Sequence, residues 1–303
     1  MHVPTSIEIT EVGPRDGLQN QKTIVDARLK TALVDALSKT GLGRIEVSSF
    51  VNPQWVPQLA DSSEVFEAIE RVEHVCYSAL VPNKQGWLQA EKSGVDEIAL
   101  VTSASESFCE KNINTSIAGS IERMKPIVDE AKSKGIGIRG YVSCVIACPY
   151  EGAVMPNQVR DVVAPLLDLG VEDISLGETI GVAVPLDIQK LYGGLEGVLK
   201  PEDSVLHLHD TRGTALANAF AAMQLGVRRF DTSCGGLGGC PYAPGSAGNL
   251  ATEDLVYFAS KMGIETGVDL QLLFDAIKII EGALDAPLSS RTYLSSKSQE
   301  SSN

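Results

Sequence analysis

The chain has 303 residues, 44% of them hydrophobic and 21% charged, and a formal net charge of −14. That composition is ordinary for a globular protein, and the length suits one large α/β domain or two small ones. The negative charge argues against nucleic acid or an anionic membrane as partner, so an anionic ligand would need a local positive site.

The six cysteines, Cys76, Cys109, Cys144, Cys148, Cys234 and Cys240, contain no CxxC pair. They point to a reducing compartment rather than a disulfide framework. The start, MHVPTSIEITEV, lacks the basic and apolar regions of a signal or transit peptide, and no apolar run is long enough for a bilayer. A cytoplasmic location is expected.

In chain order, Ser6–Val12 alternates as a first strand and runs into GPRDGLQNQ, a Gly-rich polar loop. Asp26–Ser38 is apolar at helical spacing and stops at the glycines of Thr40–Gly43. Arg44–Ser48 is the second strand. Further strand-like runs are His74–Val81, Glu97–Val101, Gly137–Val145, Asp173–Leu176, Val205–His209 and Arg229–Ser233. Helix-like runs lie at Ser62–Val72, Lys84–Ser93, Thr115–Lys134, Pro156–Leu169, Pro185–Leu199 and Thr214–Leu225. Gly94, Gly135, Gly170 and Gly226 follow such helices, where glycine suits the left-handed stop. With Thr252–Met262 as the last helix, the chain makes eight strand–helix units. That alternation predicts parallel strands in a closed (β/α)8 TIM barrel, one catalytic domain over 1–288. An additional C-terminal helix is expected at Asp269–Ala283. Residues 289–303 read as a polar, disordered tail. A doubly wound open sheet is the alternative, but the GxGxxG turn that usually marks it is absent.

Two of the four histidines fall in VLHLHDTRG. On a strand, His207 and His209 share one face and the leucines take the other. Two imidazoles so spaced are ligands for a divalent metal or a pair of structural core histidines. In a barrel the site lies at the C-terminal ends of the strands. Arg15 and Asp16 follow strand one, and Glu46 lies at strand two. Strand five carries Tyr141, and strand six ends at Glu178 and Thr179. Asp16 is the natural third ligand, and mixed oxygen–nitrogen ligation suits Mg²⁺ or Mn²⁺. Asn249 could add an oxygen, although by itself it reads as a turn residue. Gly235–Asn249 follows strand eight as GGLGGCPYAPGSAGN, a glycine-rich active-site lid with Cys240 at its centre. The other five cysteines read as packing residues.

The runs GPRDGLQNQ, IEVSSFVNPQWVPQ, RGYVSCVIACPYEG, ISLGETIGV, HLHDTRGTALAN and GGLGGCPYAPGSAGNLATEDLVY closely resemble the 3-hydroxy-3-methylglutaryl-CoA lyase family, from about Ile7 to Leu284. The resemblance implies a metal-dependent barrel lyase, usually dimeric, binding Mg²⁺ or Mn²⁺. It would cleave a CoA thioester to acetyl-CoA and acetoacetate, as in leucine catabolism and ketone-body formation. It implies Asp16, His207, His209 and Asn249 as metal ligands, and places Arg15, Glu46, Tyr141, Glu178, Cys240 and Glu253 at functional positions. Arg15 is then the partner of the enolate oxygen, Glu178 the base for the hydroxyl, and Cys240, with His207, the acid for the enolate carbon. Lys22 and Lys111 are candidates for the coenzyme phosphates. The chain departs from the family at Glu178, usually Asp, at Arg212, usually aromatic, and at Cys234–Gly235, usually a small apolar pair. A related branched 3-hydroxyacyl-CoA is therefore an alternative substrate. A barrel aldolase or condensing enzyme acting on 2-oxo acids, and a non-enzymatic CoA-binding protein, are the other readings. Whether Cys234 and Cys240 form a redox pair is left open.

Overall fold

The alternating runs become strands β1 (Glu8–Glu11), β2 (Arg44–Ser49), β3 (Cys76–Leu80), β4 (Glu97–Ser103), β5 (Gly137–Ser143), β6 (Asp173–Glu178), β7 (Ser204–Leu208) and β8 (Arg229–Thr232). This computed structural model describes residues 3–171, 173–239, 248–284 and 287–300. Each strand pairs in parallel with its sequence neighbours, and β1 pairs with β8, so the barrel closes without an open edge. The helices are α1 (Ala27–Leu37), α2 (Ser62–Ala68), α3 (Lys84–Lys92), α4 (Glu106–Ile113), α5 (Ile117–Ser133), α6 (Pro156–Asp168), α7 (Pro185–Gly194), α8 (Ala215–Leu225), α9 (Thr252–Lys261), α10 (Leu270–Glu281) and α11 (Arg291–Glu300). The expected additional helix is α10.

Alternation sorts the strand residues between two environments. Ile45, Ile98, Leu100, Ile174, Leu206 and Phe230 point outward and pack with the helices in one apolar cluster. The inward layer is charged near the N-terminal end. Arg139 of β5 donates to Asp173 at 3.0 Å, to Asp231 at 2.7 Å and to the Thr10 hydroxyl at 3.1 Å. Arg44 and Arg229 close on the same Asp173 at 2.6 and 2.7 Å. Arg139→Met should destabilise the fold by about 3–5 kcal/mol, because Asp231 would be left buried without its cation. Urea unfolding reports this, and a loss under about 1 kcal/mol would contradict it.

Some segments depart from expectation. GPRDGLQNQ is not an open loop, since Gly13–Gly17 winds into a π-helical turn. A Cβ on Gly13 would meet Glu11 Oε1 at 2.6 Å, and one on Gly17 would meet Leu237 Cβ at 2.7 Å, so the turn packs too closely for side chains there. The run expected from Thr115 is preceded by α4, capped by Ser105 accepting from the Phe108 amide and ended by Asn114 at φ 51°. A short hairpin, Ala147–Cys148 with Gly152–Ala153, follows β5. The helices expected to reach Val72 and Leu199 stop at Ala68 and Gly194.

The expectation of a disordered tail is corrected: Arg291–Glu300 is helix α11. Asp254 of α9 accepts from the amides of Arg291 and Thr292 and caps it from another element. Tyr293 is fully buried and donates to Glu281, which also pairs with Lys297 at 2.7 Å. One aromatic and a borrowed cap order a segment whose composition alone reads as solvated.

Candidate active site

At the C-terminal mouth, the π-helical turn after β1 brings Arg15 and Asp16 over the barrel axis. Arg15 is buried, and its fork is set by its neighbours. Nε donates to Glu46 Oε2 at 2.7 Å, and Nη1 donates to Asp16 Oδ1 at 2.5 Å. The guanidinium carbon lies 5.6 Å from the Tyr141 ring centroid, and the Tyr141 hydroxyl donates to the same Glu46 oxygen at 3.3 Å. Among the described residues, Nη2 has no hydrogen-bond partner.

Across the mouth, His207 of β7 and His209, just past its end, face inward with ring centroids 5.4 Å apart. His207 Nε2 lies 3.9 Å from Asp16 Oδ2. Asn249 Nδ2 donates to Asp16 Oδ2 at 2.8 Å and to the Leu237 carbonyl at 3.2 Å. Asp16, His207 and His209 each offer a ligand atom, all within 4.8 Å of one another.

The electrostatics follow from burial and charge together. Burial works against ionised Asp16, but Arg15, His207 and His209 outweigh it and hold the carboxyl well below its usual range. Burial also opposes the Arg15 charge, yet Glu46 and Asp16 keep it protonated throughout. Burial and the neighbouring His207 push His209 down to about 4, so this imidazole is neutral. Burial lowers His207, but Asp231 and Asp16 carry it above its usual value. Asn249 Oδ1 and His209 Nδ1 are buried without hydrogen-bond partners among the described residues, while His207 turns Nε2 toward Asp16. Orphaned buried acceptors beside a carboxylate fit a divalent cation held by oxygen and nitrogen.

Arg15, Asp16, Glu46, Tyr141, His207, His209 and Asn249 thus meet in one mouth. Glu178 is fully buried and turns to its own loop, accepting from the Val182 amide at 3.1 Å, while its Oε2 has no partner among the described residues. Burial pushes it up to about 7. Lys22 is exposed, and Lys111 Nζ lies 3.5 Å from the Tyr150 ring centroid. Cys240 lies outside the described residues. Cys234 is fully buried, and burial together with Glu11 and Glu253 raises its thiol far above the usual range.

Sequence reasoning missed Asp231 and Glu11. Asp231 sits in register with His207, with Oδ2 3.6 Å from His207 Nδ1 and accepting from the Ser175 hydroxyl at 2.7 Å. It backs the imidazole from the side away from Asp16. Its alternation with Arg229 on β8 was the available signal. Glu11 accepts from the amides of Gly13 and Cys234, both at 2.8 Å, and from the Thr252 hydroxyl at 2.6 Å. It joins the turn carrying Arg15 to the turn that follows the neighbouring strand β8. Glu253 accepts from the Gly235 amide at 3.0 Å.

Burial pushes Glu11 up to about 7 and Glu253 up to about 8 from 4.5. Above pH 4.5 the unfolded chain loses protons that the fold retains, so this contribution to stability falls as pH rises to about 8. Glu253→Gln removes part of that fall. Calorimetry should show its Tm gaining on the parent's between roughly pH 5 and pH 9, whereas parallel curves would contradict the assignment.

A closed parallel barrel with a guanidinium and an oxygen–nitrogen ligand cluster at its C-terminal mouth defines a barrel enzyme with a candidate metal centre. Residues 6–280 match the HMGL-like family model, and the chain belongs to that family. It is 46% identical over 289 residues to the mitochondrial hydroxymethylglutaryl-CoA lyase of Macaca fascicularis, covering 95% of this chain and 89% of that one. The crystal structure of hydroxymethylglutaryl-CoA lyase from Pseudomonas aeruginosa superposes with a TM-score of 0.96 at 44% identity, covering 99% and 100% of the two chains. An HMG-CoA lyase from Acinetobacter baumannii, solved with coenzyme A and 3-methylmalate, gives 0.90 at 38% identity, covering 95% and 94%.

Proposed function

We propose that this lyase cleaves 3-hydroxy-3-methylglutaryl-CoA to acetyl-CoA and acetoacetate, with Mg²⁺ or Mn²⁺ held by Asp16, His207, His209 and Asn249. The observation that carries the reading is the Arg15 guanidinium, fixed by Glu46 and set 2.5 Å from the carboxylate of the ligand cluster. When bound, the cation supplies a Lewis acid that eases loss of the hydroxyl proton.

The residues of the chain do the rest. Cleavage of the C2–C3 bond turns the hydroxyl into a ketone and leaves its electron pair on the thioester fragment. Negative charge grows on the thioester oxygen, and Arg15 presents N–H donors that need no reorganisation at that moment. The hydroxyl proton leaves to Glu178, whose Oε2 has no other partner among the described residues. Cys240, assisted by His207, is our candidate for the acid that returns a proton to the enolate carbon. Lys22 and Lys111 are our candidates for the coenzyme phosphates. Arg212 donates to the carbonyls of Ile180 and Gly181 at 3.1 and 3.0 Å, which favours this substrate over an acyl group carrying a further acid. Among the described residues, no helix is long and apolar enough to cross a membrane. We read the enzyme as a cytoplasmic homodimer, and light scattering of the purified protein checks the dimer.

The test is a panel of 3-hydroxyacyl-CoA esters and 2-oxo acids offered to chelator-treated protein. Equal amounts of acetyl-CoA and acetoacetate from 3-hydroxy-3-methylglutaryl-CoA, only after Mg²⁺ or Mn²⁺ is restored, are expected. Cleavage of another ester alone, or no metal dependence, would refute the reading.

A further inference from the structure

The stretch between α10 and α11 does more than link two helices. The amides of Ser289 and Ser290 both donate to the Gly235 carbonyl, at 3.1 and 3.3 Å. The Ser289 hydroxyl donates to the Gly236 carbonyl at 3.1 Å. Leu288 is buried against the same turn, where a Cβ on Gly235 would come 2.7 Å from its Cδ2. Gly235 and Gly236 have φ of 68° and 66°, so this close seat needs glycine twice. The strap is itself anchored, since Asp254 accepts from the Ser290 hydroxyl and from two amides of the first turn of α11.

That turn leads to the metal site. It ends at Leu237, whose amide donates to the Cys234 carbonyl. The Leu237 carbonyl accepts from Asn249 Nδ2, and the same nitrogen donates to Asp16. With its amide nitrogen held from two sides, Asn249 has one orientation for Oδ1, the buried oxygen without a partner among the described residues. We infer that Leu288, Ser289 and Ser290 are positioning residues that aim Asn249 Oδ1 at the cation by holding the Cys234–Leu237 turn. This rests on the metal reading of the Asp16 cluster. The bonds of these residues run to Gly235, Gly236 and Asp254 and not to the ligand cluster. They act across about fifty positions of sequence by fixing the carbonyls of Gly235 and Gly236, as outer partners of metal ligands do.

Free Mn²⁺, followed by electron paramagnetic resonance, tests this without turnover. Leu288→Ala loses the packing on Gly235, and Ser289→Pro loses an amide donor. Each should weaken Mn²⁺ binding about tenfold or more and lower kcat at saturating Mn²⁺, while KM changes little. Leu288→Met and Ser289→Thr should recover both to within about twofold. Should Ser289→Pro fail to fold, Ser289→Ala removes only the hydroxyl bond and should cost about threefold. Val128→Ala, in α5, serves as a control of similar thermal destabilisation and should leave Mn²⁺ affinity unchanged. Parental Mn²⁺ affinity in folded Leu288→Ala and Ser289→Ala, or an equal loss in Val128→Ala, would overturn the inference and leave the metal reading standing. A parent protein that binds no Mn²⁺ would overturn both.

Discussion

Arg15→Gln should lose about 10³ in kcat at saturating metal and substrate while keeping its fold and changing KM only severalfold. Removing one preorganised oxyanion donor costs roughly 10²–10³ on its own. Here the loss also leaves Glu46 as a buried carboxylate without its cation, already pushed upward by burial. Glutamine can donate to one neighbour but cannot serve Glu46, Asp16 and a developing enolate together. Arg15→Lys should recover little, because a single ammonium cannot reproduce a fork braced by Glu46 on one edge and Asp16 on another. Steady-state kinetics with circular dichroism checks this. A fall of less than about tenfold in Arg15→Gln would remove the oxyanion role.

Much of this architecture is legible in the sequence because it rests on period. The alternation in VLHLHD sets both imidazoles inward, and the regular strand–helix spacing dictates a closed parallel barrel. The C-terminal-mouth rule then gathers Arg15, Asp16, Glu46 and Tyr141, residues separated by up to 126 positions. What stayed hidden depends on contact between distant segments. Asp231 has no motif, and its importance lies in standing in register with His207 across one strand pair. Glu11 reads as an ordinary strand carboxylate until the amides of Gly13 and Cys234 converge on it.

Helix termini and loops show the same limit. The π-helical turn over Gly13–Gly17 depends on Leu237 and Ser233 pressing against it from more than two hundred residues away. Helix α11 depends on a cap from Asp254 and on the burial of one tyrosine. Neither leaves a local periodic trace. Glu178 is placed by its own loop, whose amides fold back over its carboxyl group. Strand position alone predicts its depth in the barrel, not the direction of its oxygens.

Asp16→Asn keeps the shape of the side chain and removes its charge, so it isolates what the carboxylate contributes. Asp16 sits where Arg15, His207 and Asn249 converge. The amide can still accept from Asn249 or Arg15, but it cannot balance a cation added beside Arg15 and the histidines. Mn²⁺ affinity should therefore fall by more than the roughly 10–100-fold typical of outer partners, and kcat at the highest usable Mn²⁺ should fall at least about 10². A second readout needs no metal. Because the folded carboxyl lies below its ordinary 3.8, ionised Asp16 stabilises the fold above that pH, and the contribution is lost as pH falls through the folded value. Measured in chelator, the variant should melt below the parent at neutral pH, and the gap should narrow as pH drops under 3.8. A gap that stays constant with pH would mean that Asp16 is not held ionised by Arg15 and the histidines. Unchanged Mn²⁺ affinity would mean that the cation sits elsewhere.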